Sequence, residues 1–182
     1  MALKYALLGF LNLRPKTGYD LKKSLDLSTQ HFWYAGINQI YPTLKTLEET
    51  GWIRSRVEPQ DGRPDKKVYR ITKTGRKRFL EWLSVPPQKL PRGKNEALLK
   101  LFFAGFLDTE GILRQLRIQL ELHRVQLAGY QKTQTVVREI VDASGRHREG
   151  ALWELVRELG EQQERTYVRW LEKAIHTVKN MQ

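Results

Sequence analysis

A mainly α-helical chain with one short β-hairpin is the fold class that three features of this 182-residue sequence predict. Apolar residues recur at helical spacing through most of its length. One stretch, from Trp52, switches to strand-like alternation and is divided by an Asp-Gly turn. A proline-rich segment then separates this region from two long helical patterns. Helix, helix, helix, strand, turn, strand and helix in sequence spell a winged helix-turn-helix with a two-stranded wing. The rest of the chain reads as an all-helical dimerisation domain. The expected boundaries are 1–85 for the winged domain, 86–93 for the linker and 94–182 for the helical domain.

The first helix covers residues 3–13, with Leu3, Leu7, Leu8 and Leu11 on one side, and Pro15 ends it. Thr17 is the expected cap of the second helix, whose third position is Asp20 and whose inward residues are Leu21 and Leu25. The third helix, "INQIYPTLKTLEE", closes at Gly51, a residue suited to the left-handed cap. The strands are "WIRSRVE", with Ile53, Ser55 and Val57 on one face, and "KVYRIT". Thr72 should cap "KTGRKRFLEWL", which sets Phe79 and Leu83 one turn apart.

Beyond "SVPPQKLPRG", the run "NEALLKLFFAGFL" is apolar on nearly all sides and is expected to be buried. Asp108 should cap a long helix bearing Ile112, Leu116, Leu120, Leu127, Tyr130, Val137 and Val141. "DASGRHREG" breaks that pattern, and a last helix repeats it with Leu152, Leu155, Leu159, Tyr167, Trp170, Ala174 and Val178. An antiparallel pair results, whose seams a second copy of the chain would cover. Leu116, Leu120, Leu127, Leu159 and Trp170 are the expected dimer residues.

The formal net charge is +12, and residues 1–88 hold 16 Lys+Arg against 8 Asp+Glu. Such a surplus in the winged region suits a polyanion. The chain has no cysteine, and its four histidines are widely spaced, so no metal site or cofactor is expected. No apolar run is long enough to span a bilayer. The start, "MALKYALLGFLNLRP", lacks a small-residue cleavage site, so a buried helix in a cytoplasmic protein is expected. Neither GxSxG nor a Walker A pattern occurs, and an enzyme is not expected.

Pro42 inside the third helix indicates which side is read. A proline in a helix interior removes a backbone hydrogen bond and costs about 3 kcal/mol. At ~100° per residue, Ile37, Ile40, Leu44 and Leu47 share one face, and Pro42 lies opposite them with Asn38, Lys45, Thr46 and Glu49. The amide it lacks frees only the Asn38 carbonyl, which water can satisfy. Gln39, Tyr41 and Thr43 flank that outward side. Amides, hydroxyls and a lysine suit base edges and phosphates, and an apolar ring suits a thymine methyl. The wing adds Arg63, Lys66 and Lys67 at or near its tip, a projection fitted to the minor groove.

The segments "ALLGFL", "GYDLKKSL", "FW", "QIYPTLKTLEETGWI", "GRPDKKVYRIT" and "TGRKRFLEWL" resemble the PadR family of bacterial transcriptional regulators, in the family's order. The remainder is similar to the longer C-terminal domain of one subgroup. The resemblance implies a homodimeric repressor of a near-palindromic double-stranded DNA operator. It places "IYPTLKTLE" in the major groove, through Gln39, Tyr41, Thr43 and Lys45, and the wing against the minor groove or backbone. Ala35 and Gly36 stand where the family often has a serine. Some members release DNA when a small aromatic ligand binds between their two domains. Trp33 and Trp82 are the expected ligand residues here. A winged helix that binds protein or RNA is the alternative.

Overall fold

Among the described residues, four helices and a small antiparallel sheet make the first of two units, Met1–Leu90, and three α-helices and a 3-10 turn make the second, Pro91–Gln182. The computed structural model describes residues 2–29, 32–60, 62, 65–90 and 93–181, without the side chains at 131, 136, 137 and 140. The Val137 side chain and Arg63 therefore lie outside what is described. Among the described residues, no helix is long and apolar enough to cross a membrane.

In the first unit, α1 (Leu3–Leu13) buries Leu7, Leu8 and Leu11. The expected cap of α2 (Gly18–Ser28) is a full capping box. Thr17 Oγ1 accepts from Asp20 N at 3.0 Å, and the Asp20 carboxylate accepts from Thr17 N at 3.3 Å. The helix α3 (Ile37–Glu49) contributes Ile40, Leu44 and Leu47 to the core. Ile37 departs from expectation and is exposed. It is the first residue of α3, preceding the turn that reaches the core.

Gly51, at φ 71°, turns the chain out of α3. Trp52 N donates to Leu47 O at 2.9 Å and Gly51 N to Glu48 O at 3.0 Å, which is a Schellman closure. Strands β2 (Ile53–Glu58) and β3 (Lys66–Ile71) then pair from Ile53↔Ile71 to Glu58↔Lys66. The sheet has a third strand beyond the expected two, β1 (Lys16–Thr17), on the free edge of β3. Ile53 and Tyr69 face the helices and are buried, whereas Val57, further along β2, is exposed. Thr72 caps α4 (Lys73–Leu83) by accepting from Gly75 N at 3.1 Å, and its hydroxyl donates to Gly51 O at 2.8 Å. The backbone of Gly75 lies so near that of Trp52 that a Cβ there would stand 2.0 Å from the Trp52 carbonyl oxygen.

In the second unit, Asn95 caps α5 (Glu96–Phe102), and a 3-10 turn spans Ala104–Phe106. The expectation that this segment is buried is not met. Phe102, Phe103 and Phe106 are exposed, and only Ala104 is buried there among the described residues. Apolarity on all sides shows that a segment needs cover, not that its own chain supplies it.

The helices α6 (Thr109–Ser144) and α7 (His147–Lys179) form an antiparallel hairpin turned by Gly145, with Asp108 capping α6. Two small residues bring the helices together: a Cβ at Gly150 would meet Val141, and one at Gly160 would meet the Tyr130 hydroxyl. Leu113, Leu116 and Leu120 of α6 form one cluster with Leu171 and Val178 of α7. Leu116 and Leu120 thus pack against α7 of their own chain. The inward side of α7 also carries Arg157, buried and bonded to Glu154 and Glu161 at 2.7 and 2.6 Å. Leu152, Leu155, Leu159 and Trp170 lie on the opposite side of α7 and are exposed. Leu127 is half-buried.

Candidate nucleic-acid interface

The outward side of α3 is organised before any partner is considered. Gly36 caps the helix in an extended conformation, and Gln39 Oε1 accepts from Gly36 N at 3.1 Å. The amide side chain thereby supplies the reciprocal half of a capping box where no serine is present. A Cβ at residue 36 would stand 2.5 Å from Asn38 Oδ1, so glycine leaves room for Asn38 to fold back over the cap. Thr43 Oγ1 donates to Gln39 O at 2.6 Å, and Thr46 Oγ1 donates to Pro42 O at 3.1 Å. These hydroxyls satisfy helix carbonyls and keep only acceptor capacity for another molecule.

Asn38, Gln39, Tyr41, Pro42 and Lys45 are all exposed, and Thr43 is half-buried. Tyr41 is fixed from below: a Cβ on Gly18 would lie 2.7 Å from its ring, so the phenol rests on the first residue of α2. Lys45 reaches Glu49 only at 3.9 Å and keeps an 80% exposed side chain. Its charge is available, because a surface pair at that distance contributes little.

The wing separates the two lysines expected to act together. Successive strand residues point to opposite faces. Lys66 projects outward and is exposed. Lys67 turns toward α3, where its ammonium donates to Glu48 Oε2 at 2.8 Å and lies 5.3 Å from the centre of the Tyr69 ring. Glu48 also accepts from Ser55 Oγ. The hydrogen bonds from Lys67 and then Ser55 hold the Glu48 carboxyl below the ordinary carboxylate value, and the bond to Glu48 raises Lys67. Sequence reasoning missed Glu48. Its partner stands 19 residues away, and no local pattern announces the pair.

The two tryptophans expected at a ligand site occupy different settings. Trp82 stacks on Tyr5 at 4.7 Å with the planes 5° apart, and Phe79 lies 6.2 Å from it. Trp33 lies in the segment before α3 and donates its amide to Thr29 O at 2.6 Å. Each keeps about two-fifths of its surface exposed, 41% for Trp82 and 39% for Trp33.

A helix with an open polar side, tied by Glu48 to a two-stranded hairpin, defines a winged helix-turn-helix protein of the DNA-binding class. The chain belongs to the transcriptional regulator PadR-like family. Residues 7–81 match the model of that family, and residues 94–179 match the model described as virulence activator alpha C-term. It is 36% identical over 124 residues to a Mycobacterium tuberculosis protein named probable transcriptional regulator Rv1176c, across 63% of this chain and 66% of that one. It is 29% identical to the negative transcriptional regulator PadR of Bacillus subtilis, across 95% of both chains. The crystal structure of Bacillus subtilis PadR with operator DNA superposes with a TM-score of 0.82 at 28% identity, covering 98% of this chain and 99% of that one. The same protein with p-coumaric acid gives a TM-score of 0.77 at 27% identity, covering 99% and 100%. Like these relatives, the chain is a transcriptional regulator and not an enzyme.

Proposed function

We propose that this chain is a homodimeric repressor that binds a near-palindromic double-stranded DNA operator in the cytoplasm. The observation that carries this reading is the open side of α3, Asn38 to Lys45, beside a hairpin that presents Lys66 outward. Gln39, Tyr41, Thr43 and Lys45 address the major groove, with Asn38 and Pro42 at the helix entry. Arg63 and Lys66 address the adjacent minor groove or backbone. Lys67 serves chiefly to hold the wing. Residues 1–85 act as the DNA-binding domain, 86–93 as the linker and 94–182 as the dimerisation domain.

Dimerisation is supported by the apolar side of α7 left uncovered by its own chain, Leu152, Leu155, Leu159 and Trp170, together with Phe102 and Phe106. A two-fold dimer presents its α3 helices to successive major grooves, about 34–36 Å apart. A small aromatic effector, like the p-coumaric acid captured with Bacillus subtilis PadR, would meet the exposed surface of Trp33 or Trp82.

Selection of bound fragments from a random duplex library tests the reading. A symmetric consensus with half-sites one helical turn apart is the expected result. Failure to enrich any duplex would overturn it.

A further inference from the structure

Arg54 and Arg70 stand directly opposite each other across β2 and β3, and Arg56 follows two residues along β2 on the same face. All three are exposed, and they line a shallow depression on the side of the sheet away from the helical core. Like charges placed opposite each other destabilise a strand pair. None of the three has a carboxylate partner among the described residues. Several cations elsewhere are matched, among them Lys67 by Glu48, Arg117 by Glu110, and Arg124 by Glu121 and Glu172. Toward the open end of the hairpin the same face continues to Lys66, paired in register with Glu58.

From Arg70 to Lys66 the strand advances ~13 Å, more than one phosphate group can occupy. The depression is shallow and open to solvent, where an isolated ion pair is worth about 0–1 kcal/mol. A row of phosphates gains differently, because each one neutralised releases condensed counterions. We propose that this arginine face binds the sugar–phosphate backbone of duplex DNA flanking the half-site, outside the bases addressed by α3. The proposal rests on the operator-binding reading above. It assigns Arg54, Arg56 and Arg70 to a second, sequence-independent contact that lengthens the footprint.

The test uses the full chain and two duplexes, one ending at the half-site edges and one extended by about ten base pairs on each side. Wild type should bind the longer duplex more tightly, and the gain should shrink with salt. In R54Q/R56Q/R70Q the affinity for the short duplex should stay unchanged and the gain should vanish. The log–log salt slope on the long duplex should fall by about 5, since the dimer loses three arginine contacts on each side. A gain that persists in the variant, or an equal loss on both duplexes, overturns the proposal while leaving operator binding intact. Wild type binding neither duplex would instead overturn the operator reading itself.

Without DNA the variant should melt at the same temperature as wild type or higher, since a repulsion has been relieved. A lower melting temperature would make the arginines structural and overturn the proposal. Inorganic phosphate, at ionic strength matched with chloride, should not stabilise wild type. Saturable stabilisation lost in the variant would mark a small-anion site and likewise overturn the backbone assignment.

Discussion

Glu48 of α3 and Lys67 of β3 meet at 2.8 Å, with Ser55 of β2 on the same carboxylate. One side chain therefore ties α3, the proposed reading helix, to both strands of the wing. The angle between α3 and the wing is set by this contact as well as by the apolar core beneath them.

The two lysines on this surface should behave differently. Lys45→Ala should weaken operator binding and reduce the salt slope by about one per lost phosphate contact, about two for the dimer. Lys67→Ala should change the slope less, because its charge is already answered by Glu48, while freeing the wing. Fluorescence anisotropy titrations at several salt concentrations check this. Equal slope changes would place Lys67 on phosphate after all.

The brace should also show in the pH dependence of stability. The folded Glu48 value is lowered, so its contribution is fully present above the ordinary 4.5 and is lost as pH falls through the lowered value. Lys67 is raised, so its part is fully present below 10.5 and is lost as pH rises through the raised value. Glu48→Gln should thus be less stable than wild type between those limits, with the difference closing at the acid end. Thermal melts across pH would read it, and a difference independent of pH would contradict the assignment.

Gly75→Ala should be costly although alanine favours helix. Its Cβ would stand 2.0 Å from the Trp52 carbonyl oxygen, and α4 would have to move away. Overpacking of this kind costs about 1–3 kcal/mol, and each kcal/mol lowers the Tm of a unit this size by about 4–8 °C. Calorimetry measures the shift, and an unchanged Tm would show that α4 moves freely.

Leu159→Asp and Leu116→Ala should separate association from folding. Leu159 is 57% exposed, so its change should leave helicity intact and yield monomers. Leu116 is 3% exposed, and truncating it should cost about 2–5 kcal/mol within the hairpin. Light scattering and circular dichroism together distinguish the two outcomes. A dimer unaffected by Leu159→Asp would remove that side of α7 from the interface.

Local punctuation makes much of the winged unit legible. Thr17 with Asp20, Gly51, Thr72 and the change of period after Trp52 each act within a few residues, and each marks an element the structure contains. Features that depend on distant partners are not legible in this way. The strand Lys16–Thr17 is too short to have a period, and Glu48 finds Lys67 only through the fold. In α7 the largest apolar residues suggest an inward stripe, whereas Gly150, Gly160 and the buried Arg157 face α6. Close helix approach selects small residues there, and a buried arginine matched by two glutamates can stand in a core position. Leu152 and Leu155 are left outside.

Because the Tyr41 ring rests on Gly18, that tyrosine is a tenant of two elements at once. Altered DNA preference can therefore be sought at Asn38, Pro42 and Lys45 one position at a time. A bulkier or differently shaped group at 41 obliges a compensating change in the helix below. Efforts to retarget this regulator, by selection or by grafting, face a paired constraint at 18 and 41 and freer choice around it.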